Sequence, residues 1–175
     1  IDDFGADAVR LGMLLCVPAG NDILFDESQI EQGRNFCNKI WNAFRLYNSW
    51  EGASIGIRNY EAQTGVWFKN RLNAVLAENE KHFETFRLSD ALMNLYKLIW
   101  DDFCSVYLEG VKPKYGEKIS EPARIQTQEF FSDLMKAIHP FMPFISEEIY
   151  HVLWGNQLIK PCVISEYPKT QNSNS

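Results

Sequence analysis

The sequence has 175 residues, 17 Lys+Arg against 23 Asp+Glu for a formal charge of −6, and is 46% hydrophobic and 14% aromatic. This composition excludes a disordered chain and fits one or at most two globular domains, in which roughly 70% of the unfolded surface can be buried. The longest apolar stretches, such as Leu11 to Ala19 with Gly12 and Pro18 inside, fall far short of the ~20 residues of a membrane helix, so no membrane partner is expected.

The opening Ile1-Asp2-Asp3 is acidic and carries no basic-then-apolar run, so no targeting signal is read there, and a start on Ile is what an excised piece would show. Cys16, Cys37, Cys104 and Cys162 are scattered without a C-x-x-C or a Cys/His cluster. Reduced thiols in a cytoplasmic protein, with neither a metal site nor a disulfide framework, are therefore expected. The net acidity weighs against a nucleic-acid partner, because phosphate binding draws on Lys and Arg.

Gly and Pro fall in clusters, and the intervals between them carry a period near 3.6, which predicts a series of about six helices. The first spans Gly5 to Cys16 and stops at Pro18-Ala19-Gly20-Asn21. The second begins after Asp26 as N-cap and runs to about Trp50. Ile30, Gly33, Phe36, Cys37, Ile40, Trp41, Ala43, Phe44 and Tyr47 form its inward face, covering about 160° of arc. Its opposite arc holds Arg34, Asn35, Asn38, Lys39, Asn42 and Arg45, and from Gly33 to Asn48 there is no acid. After a connector, Glu51 to Gly56, a third helix is predicted over Val66–Phe83 with Phe68, Leu72, Val75, Leu76 and Phe83 inward. A fourth runs from Ser89 as N-cap to about Gly110. Its main stripe is Leu92, Leu95, Ile99, Phe103 and Val106, and Met93, Trp100, Cys104 and Leu108 make the other side apolar too, as befits a central helix. Pro113 to Pro122 is a break. A fifth helix, Ala123–Ile138, ends at His139-Pro140, and a sixth covers Phe144–Leu153. Leu158-Ile159 and Cys162-Val163-Ile164 read as short extended segments. The domain is placed over residues 1–168 and a polar tail or linker over 169–175.

No enzyme motif emerges: there is no G-x-S-x-G, Walker loop or H-E-x-x-H, and His82, His139 and His151 are far apart. Asp101-Asp102 is read as structural, since adjacent helix positions diverge by about 100°, and His139 as a helix-end residue. The strip Arg34, Asn38, Asn42, Arg45, widened by Asn35 and Lys39, is chemically suited to RNA, because cations neutralise phosphates and Asn both donates to and accepts from base edges. A solvated helix face or a protein contact explains the same period, so the residues alone leave three readings open. Three asparagines are unusual there, as Asn is a poor helix former.

The run Gly33-Arg34-Asn35-Phe36-Cys37-Asn38-Lys39-Ile40-Trp41-Asn42-Ala43-Phe44-Arg45 resembles the R-N-F-x-N-K-x-W-N-A-x-R helix that opens the anticodon-binding domain of valyl-tRNA synthetases. Four more blocks agree in order: Phe4 to Arg10, Gly20 to Asp26, Trp100 to Glu109, and His139 to Ile149. The resemblance extends from Phe4 to about Tyr167. Isoleucyl and leucyl relatives share the first and last blocks, but the Asn-rich run and the G-N-D-I-x-F-D loop resemble the valyl branch.

This resemblance implies an all-α helical bundle of the class I synthetase anticodon-binding type. It implies that the chain binds the anticodon arm of tRNA(Val) while absent catalytic and editing domains of the same polypeptide attach valine using ATP and Mg. The His-Ile-Gly-His-like and Lys-Met-Ser-Lys-Ser-like signatures are missing, so this segment is expected to have no catalytic residues, cofactor or metal of its own. Lys39 and Arg45 match family positions that meet the anticodon arm, and Glu109 matches one beside the anticodon loop. Arg34, Asn38 and Asn42 join them from the shared face. Leu46 departs from members that carry an aromatic there, which removes a stacking contact. Glu109 suits an amino group such as cytosine N4, and the valine anticodon has a central cytosine. The alternative from another class is a helical protein-interaction module without RNA contact.

Overall fold

A computed structural model describes residues 5–15, 27–155 and 160–170. Outside these lie the Pro18–Asn21 turn, Cys16, Asp26 and its proposed cap, the Gly20–Asp26 block, Leu158-Ile159 and the end of the tail. Among the described residues the chain forms six helical rods. They are α1 Ala6–Leu15, α2 Glu27–Asn48, α3 Asn59–Glu84, a composite rod, α6 Glu121–Ile138 and α7 Pro143–Trp154. The composite rod is α4 Leu88–Lys97, a π-helical segment Leu98–Tyr107 and a final turn α5 Leu108–Val111. A parallel two-residue pairing joins β1 Gly52–Ala53 to β2 Ile119–Ser120. The expectation of an all-α bundle is met.

The core forms where the composite rod crosses α3 and α6. Phe68, Phe103, Tyr107, Phe130 and Phe131 interlock with ring centroids 4.7–5.4 Å apart, mixing stacked, tilted and edge-on pairs. Offset and edge-on geometries suit the ring quadrupoles and add to the area buried. Tyr107 satisfies its buried hydroxyl on Thr127 Oγ1 at 2.9 Å, and Thr127 passes its own proton to the Ala123 carbonyl.

The π segment changes which residues face inward. Leu108 N–H bonds to the Phe103 carbonyl five residues back, and Ser105 Oγ donates to the Trp100 carbonyl, also five back. More residues per turn delay the inward position. Hence Val106, expected in the core, is 49% exposed, while Tyr107 is fully buried.

Two of the sequence blocks meet in space. Asp7 of α1 accepts from the Phe144 and Ile145 amides at 3.3 and 2.6 Å, capping α7, whose own N-cap Met142 supplies no side-chain bond. Arg10 donates to the carbonyls of Pro140 and Phe141. Such capping satisfies amides that a helix start leaves unpaired and places a negative charge at the positive end of its dipole. The α1–α2 crossing is close because both helices carry glycine at it. A Cβ on Gly33 would strike the Ala8 carbonyl, and one on Gly12 would lie 2.8 Å from Ile30 Cα.

Four local expectations change. Helix α3 starts at Asn59, seven residues before Val66, because Glu61 folds back to accept from Arg58 N–H at 2.8 Å. The fourth rod starts at Leu88, and Ser89 Oγ, in place of capping it, donates to the Leu14 carbonyl at 3.1 Å. Trp41, placed inward, is 37% exposed. Cys162–Ile164 is a 3-10 turn and not an extended segment, because its amides point to the Glu147 carboxylate. Extended pairing occurs instead at β1 and β2, within stretches read as a connector and a break.

Candidate nucleic-acid interface

Helix α2 buries Ile30, Gly33, Phe36, Ile40, Ala43, Phe44 and Tyr47. Its other face therefore meets solvent: Arg34, Asn35, Asn38, Asn42 and Arg45 are exposed and Lys39 is half-buried. Among the described residues no ion pair uses Arg34, Lys39 or Arg45. Arg34 and Arg45 are thereby left to meet phosphates, which a carboxylate-laced face would not allow.

Beside this face lies a cleft of about 160 Å³. It is lined by Lys39, Asn42, Ala43 and Leu46 of α2 and by Cys104, Leu108 and Glu109 of the composite rod. Whole-ligand pockets typically run to roughly 300–1,000 Å³, so this cleft suits one base-sized group. Its polar atoms are complementary in kind: an ammonium, an amide that donates and accepts, and a carboxylate, set around an aliphatic floor.

Two of these polar groups are positioned by a neighbour. Lys39 Nζ lies 5.3 Å from the centroid of the Trp100 ring. That ring packs in a near-parallel triangular cluster with Tyr96 and Phe36, at 5.8 and 6.3 Å. Glu109 is paired with Lys112 at 3.3 Å, and both side chains are substantially exposed. An exposed pair of this type is worth about 0–1 kcal/mol, so an incoming donor displaces it cheaply. Burial pushes the Cys104 thiol up to about 12 despite the opposing Lys39 charge, so the floor is a neutral S–H and no nucleophile.

Of the residues singled out from the sequence, Lys39, Asn42 and Glu109 converge on the cleft, across a separation of some seventy positions in the chain. Arg34, Asn38 and Arg45 share the exposed face of α2 but do not line the cleft. Leu46 lines it as an apolar wall. Sequence reasoning missed the roles of Cys104 and Leu108 as floor and Trp100 as the platform under Lys39. Their signal was the second apolar stripe of the fourth helix, which faces α2.

Two other candidates resolve as structural. Asp102 accepts from Arg71 Nε at 2.8 Å and does not act with Asp101. His139, Glu147 and Cys162 do come together, with ligand atoms within 4.8 Å of one another, a juxtaposition their spacing concealed. Their hydrogen bonds are already committed. Ser146 Oγ gives its proton to the Met142 carbonyl at 2.6 Å, so the 2.8 Å contact assigns the proton to His139 Nδ1. The Glu147 oxygens accept from the Cys162 and Val163 amides, and burial raises the Cys162 thiol to about 12. The trio ties the C-terminal turn to α7.

Residues 66–175 match the family described as the anticodon-binding domain of tRNA ligase. The chain belongs to that family. The anticodon-binding domain is 52% identical over 157 residues to a valine–tRNA ligase of Phocaeicola vulgatus, covering 90% of this chain and 18% of that protein. It is 45% identical over 170 residues to the valine–tRNA ligase of Parabacteroides distasonis, with 97% and 20% covered. A more distant valine–tRNA ligase, from Geobacter sulfurreducens, is 34% identical across 97% of the chain. The chain thus spans about one-fifth of the length of the curated relatives it matches. In this domain, the polar face of α2 and the cleft beside it share Lys39 and Asn42.

Proposed function

We propose that this domain recognises the anticodon arm of tRNA(Val) for a valine–tRNA ligase, acting in the cytoplasm. Other parts of the polypeptide would attach valine with ATP and Mg. The observation that carries the proposal is the convergence of Lys39, Asn42 and Glu109 on one base-sized cleft, on a helix whose exposed Arg34 and Arg45 make no ion pair among the described residues.

The division of labour follows from the chemistry. Arg34 and Arg45, with Asn38 between them, run along the exposed face, where they meet backbone phosphates and riboses and set the register of the arm. A base unstacked from the loop enters the cleft. Leu46, Leu108 and Cys104 cover its apolar surface, and Glu109 accepts from an exocyclic amino group, as carboxylates do from cytosine N4. Asn42 and Lys39 serve the acceptors of the same base or the adjoining ribose. With Leu46 in the wall, the base is held by edge contacts and apolar packing and not by stacking on that residue. Binding here positions the arm, so that the acceptor end reaches the catalytic centre in a fixed geometry.

Titration of the 175-residue chain with tRNA(Val) and with a non-cognate tRNA tests the proposal. Preferential binding of tRNA(Val) is expected; indifference to both overturns it and favours a protein-binding face.

A further inference from the structure

Tyr115 is fully exposed, at 106% of its reference area, on the loop that follows Glu109 and Lys112. Leaving an aromatic side chain wholly in water forgoes the stabilisation that burying it would bring. Its backbone is nonetheless well held. Glu117 N–H closes a turn onto the Lys114 carbonyl at 2.9 Å, and Gly116, at φ +80°, takes the position that requires the left-handed region. Pro113 precedes the turn. Behind it, Lys118 pairs with Glu51 at 2.7 Å, its carbonyl accepts from Arg58 Nη2 at 3.1 Å, and Ile119 N–H bonds to the Glu51 carbonyl. These bonds pin the loop to Glu51, three residues beyond the end of α2, and to Arg58 at the start of α3.

The loop is also cationic: Lys112, Lys114 and Lys118 stand against Glu117. Lys112 is engaged by Glu109 and Lys118 by Glu51, whereas Lys114, exposed beside Tyr115, makes no ion pair among the described residues. Tyr115 lies six positions beyond Glu109, so their Cα atoms are at most about 22 Å apart. A few nucleotides of single strand span that distance. An aromatic ring on a stiff turn beside an unpaired ammonium matches what unpaired RNA offers, a π face and its phosphate.

We propose that Tyr115 is a stacking platform for an unpaired base of the same RNA loop, outside the base held in the cleft, with Lys114 meeting its phosphate. This rests on the anticodon-arm reading above. The ring would replace, from a different element, the stacking that Leu46 cannot provide.

Binding of a hairpin RNA carrying the valine anticodon to the 175-residue chain tests it, using the Tyr115→Ala, Tyr115→Phe, Lys114→Ala and Lys39→Ala variants. Tyr115→Ala is expected to weaken binding at least about fivefold and Tyr115→Phe to retain it, since stacking needs the ring and not the hydroxyl. Lys114→Ala should lower the salt slope by about 0.7. A 2-aminopurine placed in the loop outside the anticodon should be quenched by the parent and not by Tyr115→Ala. If Tyr115→Ala binds like the parent while Lys39→Ala is weakened, the platform is wrong and the cleft stands. Failure of Tyr115→Phe to retain affinity also overturns stacking. If neither Lys39→Ala nor Tyr115→Ala changes binding, or the parent does not bind, the cleft reading fails and takes the platform with it.

Discussion

Lys39 rests on the face of Trp100, with Nζ 5.3 Å from the ring centroid, so a cation on α2 is positioned by an aromatic on the rod across the cleft. A partly exposed cation–π contact is worth about 0.5–1 kcal/mol. Trp100→Leu should therefore weaken binding of the anticodon hairpin about two- to fivefold. Lys39→Ala should cost about 1–3 kcal/mol if the ammonium meets a base edge. The double variant should bind no worse than Lys39→Ala alone. Additive losses in that cycle would show that Trp100 acts elsewhere.

Glu61 is fully buried and anchors β2 to α3. It accepts from Ser120 Oγ at 2.6 Å, from the Ser120 amide at 3.2 Å and from the Arg58 amide at 2.8 Å. Burial alone would raise its pKa, but the Ser120 hydroxyl, the two amides and the Arg58 charge outweigh it and hold the carboxyl below its ordinary value. A depressed folded value stabilises the protein above the unfolded carboxylate pKa of about 4.3, and the effect is lost as pH falls through the folded value. Glu61→Ala should cost about 1.5–3 kcal/mol in urea unfolding at pH 7, the range for hydrogen bonds to a charged group. The difference from the parent should shrink below about pH 4 as the parent's carboxylate protonates.

Gly33→Ala should destabilise the domain by about 1–3 kcal/mol, because the new methyl meets the Ala8 carbonyl and must push α1 from α2. Gly56→Ala is the control. A Cβ there meets nothing within 4 Å, and lower unfolded-state entropy makes it neutral or up to about 1 kcal/mol stabilising. Thermal unfolding of the two variants checks the contrast.

Cys37, Cys104 and Cys162 should alkylate slowly at pH 8 in the folded domain. Burial pushes all three thiols up to about 12, and the thiolate is the reactive form. Site-resolved mass spectrometry after iodoacetamide treatment should find them largely unmodified until denaturant is added. Rapid labelling of Cys104 would mean that the cleft floor is open.

The helices were legible where a period of 3.6 separates an inward from an outward face, and α2 is the clearest case: its buried set and its cationic strip both follow from spacing. What escaped depends on partners distant in the chain. Helix α3 gains its first two turns because Glu61 folds back on the Arg58 amide and is itself held by Ser120, 59 residues away, and Arg58 is not a residue type that signals a cap. The π segment moves Tyr107 into the position periodicity assigns to Val106, since backbone bonds five residues back carry no sequence signature. The cleft was half legible. Lys39 and Asn42 stood out on α2 and Glu109 came from resemblance, but only packing of the composite rod against α2 brings them together with Cys104 and Leu108.

The most direct test is the affinity of the domain for two anticodon hairpins that differ only in C or U at the central anticodon position, with the parent and with Glu109→Ala. Glu109 accepting from the cytosine amino group predicts that the parent prefers C by about 1–3 kcal/mol and that Glu109→Ala loses this preference. Equal affinity of the parent for both hairpins would contradict base recognition in the cleft.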